Sequence, residues 1–269
     1  MVVVRALRRH GLGNIESEHF TDLLMRELIP IIRDSNSHDT IHALAPDYNR
    51  KLLACLTKIR SQGTPIALRE FTSQTQFMSF TPALFGPNFP LDVYEDMMIV
   101  DHHSYLLFSP FMSFFAFSAQ AAQRRIRKRF VEFSEAWRAT RGAEDLPGVS
   151  APGNAIVRCV AASKMPPGDQ GGAIQAFMWG VYTNTARVAY WLFAHLLCDR
   201  AAYKQLQDAL DRAVAEEFQG SEDALLEAHP RAIAGPRFAL LDSALKEAGR
   251  LHVLPSSYRD VQADVEFPA

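Results

Sequence analysis

The chain has 269 residues, of which 48% are hydrophobic and 22% charged, and its formal net charge is −2. This is the balance of an ordinary globular protein, and it gives no reason to expect nucleic acid or an anionic membrane surface as the partner. The three cysteines, Cys55, Cys159 and Cys198, are widely spaced and odd in number. Such usage favours a reduced compartment over a disulfide scaffold.

Most of the sequence is predicted to be helical, because apolar residues recur with a period close to that of an α-helix. In chain order, the predicted helices cover residues 17–33, 48–59, 65–84, 93–105, 118–137, 155–163, 171–198, 201–218 and 237–251. Residues 141–151 are predicted to be a linker rich in Gly and Pro, and residues 257–267 the only strand. With no repeat and no clear boundary, the pattern predicts a single, mainly α domain over 1–269 with little β structure.

The longest predicted helix, 171–198, follows the helix-start signal Pro166-Pro167-Gly168-Asp169. It is apolar nearly all round, so we expect it to be buried and to run through the centre of the fold. Asp199 is well placed to cap the helix that follows it.

Common catalytic patterns, including GxSxG, HExxH, CxxC, the P-loop and GxGxxG, are absent. Two histidine pairs occur, His38 with His42 and His102 with His103, but neither comes with a third metal ligand in a recognisable motif. A surface location for them is the favoured interpretation. Residues 124–129 form a basic run. A nuclear signal or a phosphate-binding patch is one interpretation, but the solvated face of an amphipathic helix is the favoured one.

A polar notch lies in the middle of the long helix, where Gly180, Thr183, Asn184 and Arg187 share one face. Buried polar groups without partners cost about 1–3 kcal/mol each, so the notch needs an explanation. One is structural, with the hydroxyl bonded to the preceding turn and Asn184 bonded to a neighbouring helix. The other is functional, with a ligand against Gly180 and hydrogen bonds from Thr183 and Asn184. The helix alone leaves both open.

Near the end of the sequence, Glu247 and Arg250 stand three apart on a predicted helix and can form an ion pair. Arg259 follows in the predicted strand.

Taken together, these stretches resemble a cytochrome P-450, a haem-thiolate monooxygenase. The long helix is similar to the family's central I helix, and Glu247-Ala248-Gly249-Arg250 to its ExxR motif. Asn184 with Thr185, followed by Ala189-Tyr190-Trp191, resembles the sterol 7α-hydroxylase and prostacyclin-synthase branch. Leu84-Phe85-Gly86-Pro87 also fits that branch.

The resemblance implies roles for several residues. Thr183 and Asn184 would be the catalytic residues lining the oxygen pocket, and Arg259 would contact a haem propionate. Glu247 and Arg250 would be a structural pair. The implied substrate pocket takes in Phe177, Gly180, Leu254 and Ser256.

The sequence also departs from the family. Its haem loop, with the axial cysteine, and the N-terminal membrane anchor are not found, so the expected unit is a partial domain running from a D-like to a K-like helix. Gly249 stands where leucine is usual, and Arg187 where the branch commonly has proline. No residue is predicted to ligate a metal, and we expect this chain alone to bind no haem.

The resemblance implies an oxidoreductase that acts with haem and a P-450 reductase on a sterol, lipid or secondary metabolite at the endoplasmic reticulum membrane. Without an anchor, this chain is expected to be cytoplasmic. Two hypotheses remain open: an incomplete or inactive monooxygenase, and a haem-free relic or helical binding protein. No nucleic-acid partner is expected.

Overall fold

A computed structural model of the chain describes residues 19–35, 37–107, 115–139, 145–228 and 230–252. Within these residues every regular element is helical, so the predicted mainly α fold is confirmed. The α-helices are α1 His19–Asp22, α2 Ile29–Ser35, α3 His38–Gln62, α4 Leu68–Phe85, α5 Tyr94–His102, α6 Ser104–Leu107, α7 Phe117–Ala139, α8 Ala151–Ala162, α9 Pro167–Cys198, α10 Arg200–Glu217, α11 Glu222–Leu226, α12 Pro230–Ile233 and α13 Ala239–His252. A π-helical segment, Leu23–Leu28, joins α1 to α2, and 3₁₀ turns cover Leu91–Val93 and Pro236–Phe238. The strand predicted at 257–267 lies outside the described residues.

The long helix α9 organises the fold, packing against α4, α7 and α13. It begins at Pro167, four residues earlier than predicted, because proline is well suited to the first helical position. The expectation that it is buried all along was wrong. Its buried residues end at Ala186, and Phe193 and Leu197 are exposed beyond that point. Apolarity alone therefore did not predict its burial.

Several helix boundaries differ from the sequence prediction. Helix α3 begins ten residues before the predicted start, since Ser37 caps it by accepting a bond from the Thr40 amide. The predicted helix 93–105 is two helices, broken at His103. Helix α8 starts at Ala151, inside the predicted 141–151 linker. There Pro152 occupies a first-turn position, where proline favours a helix, and Ser150 provides the cap. The predicted cap of α10 is confirmed, as Asp199 accepts bonds from the Ala201 and Ala202 amides.

An aromatic cluster at the end of α4 forms much of the core. The loop after Phe85 turns at Gly86, whose φ is 79°, and inserts Phe89 into the interior. The Phe89 ring stacks on Phe85 at 4.9 Å and contacts the Phe130 and Phe133 rings of α7 at 5.2 and 5.1 Å. The Gly-Pro segment that follows α4 therefore both ends the helix and inserts an aromatic side chain into the core.

Helices α7 and α9 cross closely because a glycine stands at the crossing. A Cβ added at Gly171 would come within 2.6 Å of the Arg127 carbonyl oxygen. The exposed face of α7 carries the basic run. In that run Arg125 pairs with Asp96 of α5, and Arg129 pairs with Asp92 and Glu132.

None of the helices in the described parts of the chain has both the length and the apolarity needed to cross a bilayer.

Candidate functional site

Two cavities follow one another along α9. Gly180 lines the first, and Thr183 and Arg187 line the second. Among the residues that the structure describes, none lines both cavities. The polar notch predicted from sequence is thus divided between two different environments.

The first cavity, called the apolar cavity below, has a volume of about 330 Å³. Its wall is formed by α9 together with α1, α2 and the π-helical segment between them. Its lining residues are Phe20, Leu24, Leu28, Ile32, Ala173, Ala176, Phe177, Trp179, Gly180 and Val181. A Cβ at Gly180 would meet no other atom within 4 Å, so the missing side chain leaves open space on this wall. Two of the predicted pocket residues, Phe177 and Gly180, therefore lie together in one cavity.

The polar residues of the notch bond back to their own helix. The Thr183 hydroxyl donates to the Trp179 carbonyl at 2.5 Å, and the Asn184 amide donates to the Gly180 carbonyl at 2.9 Å. Thr183 is buried and Asn184 is exposed. The structural interpretation of the notch accounts for the hydroxyl, but among the described residues Asn184 bonds to its own helix and not to a neighbouring one as that interpretation expected. The catalytic roles of Thr183 and Asn184 stay predictions.

The second cavity, called the arginine cavity below, has a volume of about 270 Å³ and lies between α4, the end of α5 and α9. Its charged residues are Arg69, Asp101 and Arg187. Its other lining residues are Thr72, Ser73, Tyr182, Thr183, Ala186, Tyr190 and Trp191. Burial raises the pKa of the Tyr182 hydroxyl, which donates to the Met98 sulfur at 3.2 Å.

A buried carboxylate lies between two arginines in this cavity. Arg187 Nη2 donates to Asp101 Oδ1 at 2.7 Å, and Arg69 Nη2 donates to Asp101 Oδ2 at 3.2 Å. The Asp101 side chain is 8% exposed, whereas those of Arg69 and Arg187 are 58% and 47% exposed. The three residues come from three helices, so the ion pairs also join α4, α5 and α9.

Glu247 and Arg250 form the ion pair predicted from their spacing. Arg250 donates to both Glu247 oxygens, at 2.7 and 2.6 Å. These hydrogen bonds lower the pKa of Glu247. Both side chains are exposed, so this pair lies on the surface of α13 and not in a buried network.

Three other predicted residues, Leu254, Ser256 and Arg259, lie outside the described residues. Their assigned roles in a substrate pocket and at a haem propionate stay predictions.

The cysteines differ in environment. Burial and the Glu27 carboxylate raise the pKa of the Cys159 thiol to about 12, and burial raises that of Cys55. Cys198 is exposed at the end of α9, about 14 residues beyond Asn184. At about 1.5 Å per residue this places it roughly 20 Å along the helix axis.

Histidines, cysteines and carboxylates form no group of three that could hold a metal ion in the part of the chain that the structure describes. His102 and His103 contact each other with their rings 4.9 Å apart, and the His103 ring nitrogen bonds to the Ile99 carbonyl.

Comparison with known proteins gave no match to the chain among family models, curated proteins or solved structures.

Sequence reasoning missed Arg69 and Asp101 as members of a site. A signal was present, because Asp101 follows the apolar run Met97-Met98-Ile99-Val100, and a carboxylate next to buried residues needs a cationic partner. The partners are 32 and 86 positions away in sequence, so only the fold identifies them.

Proposed function

We propose that this chain binds an apolar small molecule in the apolar cavity beside Gly180, as a helical ligand-binding core that resembles a cytochrome P-450. The observation that carries the proposal is the cavity itself, since hydrophobic side chains line it and a glycine leaves room in its wall. Its volume of about 330 Å³ lies within the range of about 300–1,000 Å³ typical of small-molecule sites. A sterol, lipid or secondary metabolite, or the apolar part of one, is the class of ligand that such a wall selects.

The backbone conformation of one wall of the apolar cavity also supports a binding site there. The segment Leu23–Leu28 is π-helical, and Leu24 and Leu28 on it line the apolar cavity. Short π-helical segments within α-helices occur frequently at functional sites.

The cysteines of this chain do not fit the haem of the resembled family. The axial ligand of that haem is a cysteine thiolate, which the iron itself keeps deprotonated, so the thiol must be able to reach an iron beside Asn184. Cys159 is buried with its thiol bonded to the Glu27 carboxylate, and Cys198 lies far along α9 from Asn184. We therefore assign no oxidation step to these residues. The proposal requires neither a P-450 reductase nor a membrane.

A neutral fluorescent probe, N-phenyl-1-naphthylamine, tests binding in the apolar cavity. We expect its emission to rise on titration with the protein. Gly180→Leu fills the open space and should weaken binding at least about tenfold, while leucine favours the helix more than glycine does. Gly249→Leu is the matched control, because Gly249 is also helical and also has no atom within 4 Å of an added Cβ.

Two results would contradict the proposal: no probe binding by the folded wild-type chain, or equal affinities for the wild type and Gly180→Leu. Circular dichroism of both variants establishes that they are folded.

The second candidate is a haem-thiolate monooxygenase, which the resemblance of the α9 sequence to an I helix favours. The carbon monoxide difference spectrum of the reduced chain, incubated with haem, tests it. We expect no red-shifted Soret band of the thiolate type, and observing one would favour the monooxygenase.

A further inference from the structure

The arginine cavity has an excess of positive charge among its lining side chains. Arg69 and Arg187 share a single carboxylate, Asp101, so the three side chains together carry a net charge of +1. Here the carboxylate is buried, and both cations lie at a cavity of about 270 Å³.

Both guanidinium groups retain unused donors. A guanidinium carries five N–H groups, and each arginine uses only one Nη2 atom on Asp101. Within the described residues neither makes another side-chain hydrogen bond, and both remain about half exposed. A second acceptor can therefore approach the two arginines without displacing Asp101.

Two hydroxyls of the wall already donate to backbone carbonyls. The Thr72 hydroxyl donates to the Leu68 and Arg69 carbonyls, and the Thr183 hydroxyl donates to the Trp179 carbonyl. Charge recognition in this cavity rests on the arginines. On α9, next to Arg187, the wall also includes Ala186 and the half-buried aromatic rings of Tyr190 and Trp191.

We propose that the arginine cavity binds a small carboxylate with an aromatic or apolar body. The carboxylate bonds to Arg69 and Arg187, and the body lies against Tyr190 and Trp191. Arginine recognises planar carboxylates with paired N–H donors, and it also stacks on aromatic faces. The two arginines therefore suit the carboxylate, and the rings of Tyr190 and Trp191 give the body of the ligand an apolar surface. The size of the cavity limits the ligand to about one ring system. This site is distinct from the apolar cavity, since no described residue lines both.

Replacing Asp101 should change carboxylate binding in a direction that a purely structural role would not. Its carboxylate occupies one donor of each arginine and opposes a second negative charge. Replacing it with asparagine keeps the shape and removes that opposition. Asp101→Asn should therefore tighten carboxylate binding by about threefold or more, whereas a residue that only held the helices together would weaken it on removal.

Isothermal titration calorimetry with benzoate, and with benzamide as its neutral counterpart, tests the site in the full chain. We expect benzoate to bind at least about tenfold more tightly than benzamide. Arg187→Gln and Arg69→Gln should each lower benzoate affinity about tenfold, a typical loss for a charge-assisted bond. Arg125→Gln is the matched control, because Arg125 is similarly exposed and pairs with Asp96 away from the cavity.

The proposal is overturned if benzoate and benzamide bind alike, or if Arg125→Gln weakens benzoate as much as Arg187→Gln does. Weaker benzoate binding by folded Asp101→Asn would also overturn it. Should Asp101→Asn not fold, the arginine variants and the benzamide comparison still decide. Binding of N-phenyl-1-naphthylamine should be unchanged in Arg187→Gln, and binding of benzoate unchanged in Gly180→Leu, so failure of either proposal is distinguishable from failure of the other.

Discussion

The Nε2 atoms of His195 and His252 lie 2.7 Å apart, so the end of α9 and the end of α13 are joined by an imidazole–imidazole hydrogen bond. One ring must donate and the other accept. The His252 ring also stacks on Trp191, with ring centroids 3.7 Å apart and an interplanar angle of 11°. These contacts hold α13 against the less covered half of α9.

Tryptophan fluorescence can test whether the His252 ring covers Trp191. His252→Ala uncovers the Trp191 ring and should shift its emission to longer wavelength, because the ring then meets water. His195→Ala removes the hydrogen bond and a more distant ring contact, 6.2 Å from Trp191, but leaves the His252 ring in place, so its emission should shift less than that of His252→Ala. Trp191→Phe identifies the contribution of this ring among the three tryptophans. A red shift of equal size in both histidine variants would show that the bond, and not the stack, covers Trp191.

Glu247→Ala should have almost no effect on stability, although the pair is well formed. Both partners are exposed, and ion pairs in water are offset by hydration and side-chain entropy. The expected Tm lies within about 1 °C of the wild type by differential scanning calorimetry, given that exposed pairs contribute little. Arg250→Ala and the double variant complete a double-mutant cycle. A large drop in Tm for Glu247→Ala would reveal a buried network that the geometry does not contain.

Two glycines of α9 should respond to alanine in opposite directions. Gly180→Ala enters open space and should stabilise the fold by about 0.5–1 kcal/mol, the usual gain for alanine in a helix interior. Gly171→Ala places a methyl group within 2.6 Å of the Arg127 carbonyl oxygen, and overpacking of this kind costs about 1–3 kcal/mol. Urea unfolding measures both. Destabilisation by Gly180→Ala would mean that the cavity wall is closed at that point.

The thiols should differ in reactivity with a disulfide reagent at about pH 8, where the thiolate is the reacting species. Cys198 is exposed and should react first, while Cys159 should react only on unfolding because its pKa is raised to about 12. Cys198→Ser should abolish the fast phase.

The raised pKa of the Cys159 thiol also affects the stability of the fold at alkaline pH. A thiol pKa that is higher in the folded state stabilises the fold fully below the unfolded value of about 9, and this contribution is lost as the pH rises toward 12. The free energy of unfolding should therefore fall over that range, and Cys159→Ala should make the fall less steep.

Helices in which apolar residues recur at helical spacing over several turns were well predicted from sequence, because one face of the helix is buried and sets that pattern. Helix α7 was placed to within two residues at each end, and α10 to within one. The start of α8 was missed because Pro152 and Gly153 are common in loops, and only the Ser150 cap and the contact of α8 with α4 show that they begin a helix. Boundaries depend on such tertiary contacts more than the middles of helices do.

The candidate site was predicted only in part. Gly180 and Phe177 lie together because they are one turn apart on α9, a relationship that spacing alone reveals. The ion pairs of Asp101 depend on how α4 and α5 approach α9, and no local pattern encodes that approach.

The π-helical segment Leu23–Leu28 has a consequence for how this protein could diversify. A π turn holds about one residue more than an α turn, so deleting one residue there would restore regular α geometry. Because the π turn already absorbs that extra residue, the chain beyond it would keep nearly the same rotation relative to α1. Ile32 of α2 would go on facing the apolar cavity, and the change would be confined to the turn that carries Leu24 and Leu28. A single-codon deletion would thus reshape one wall of the cavity while leaving α2 and α9 in place.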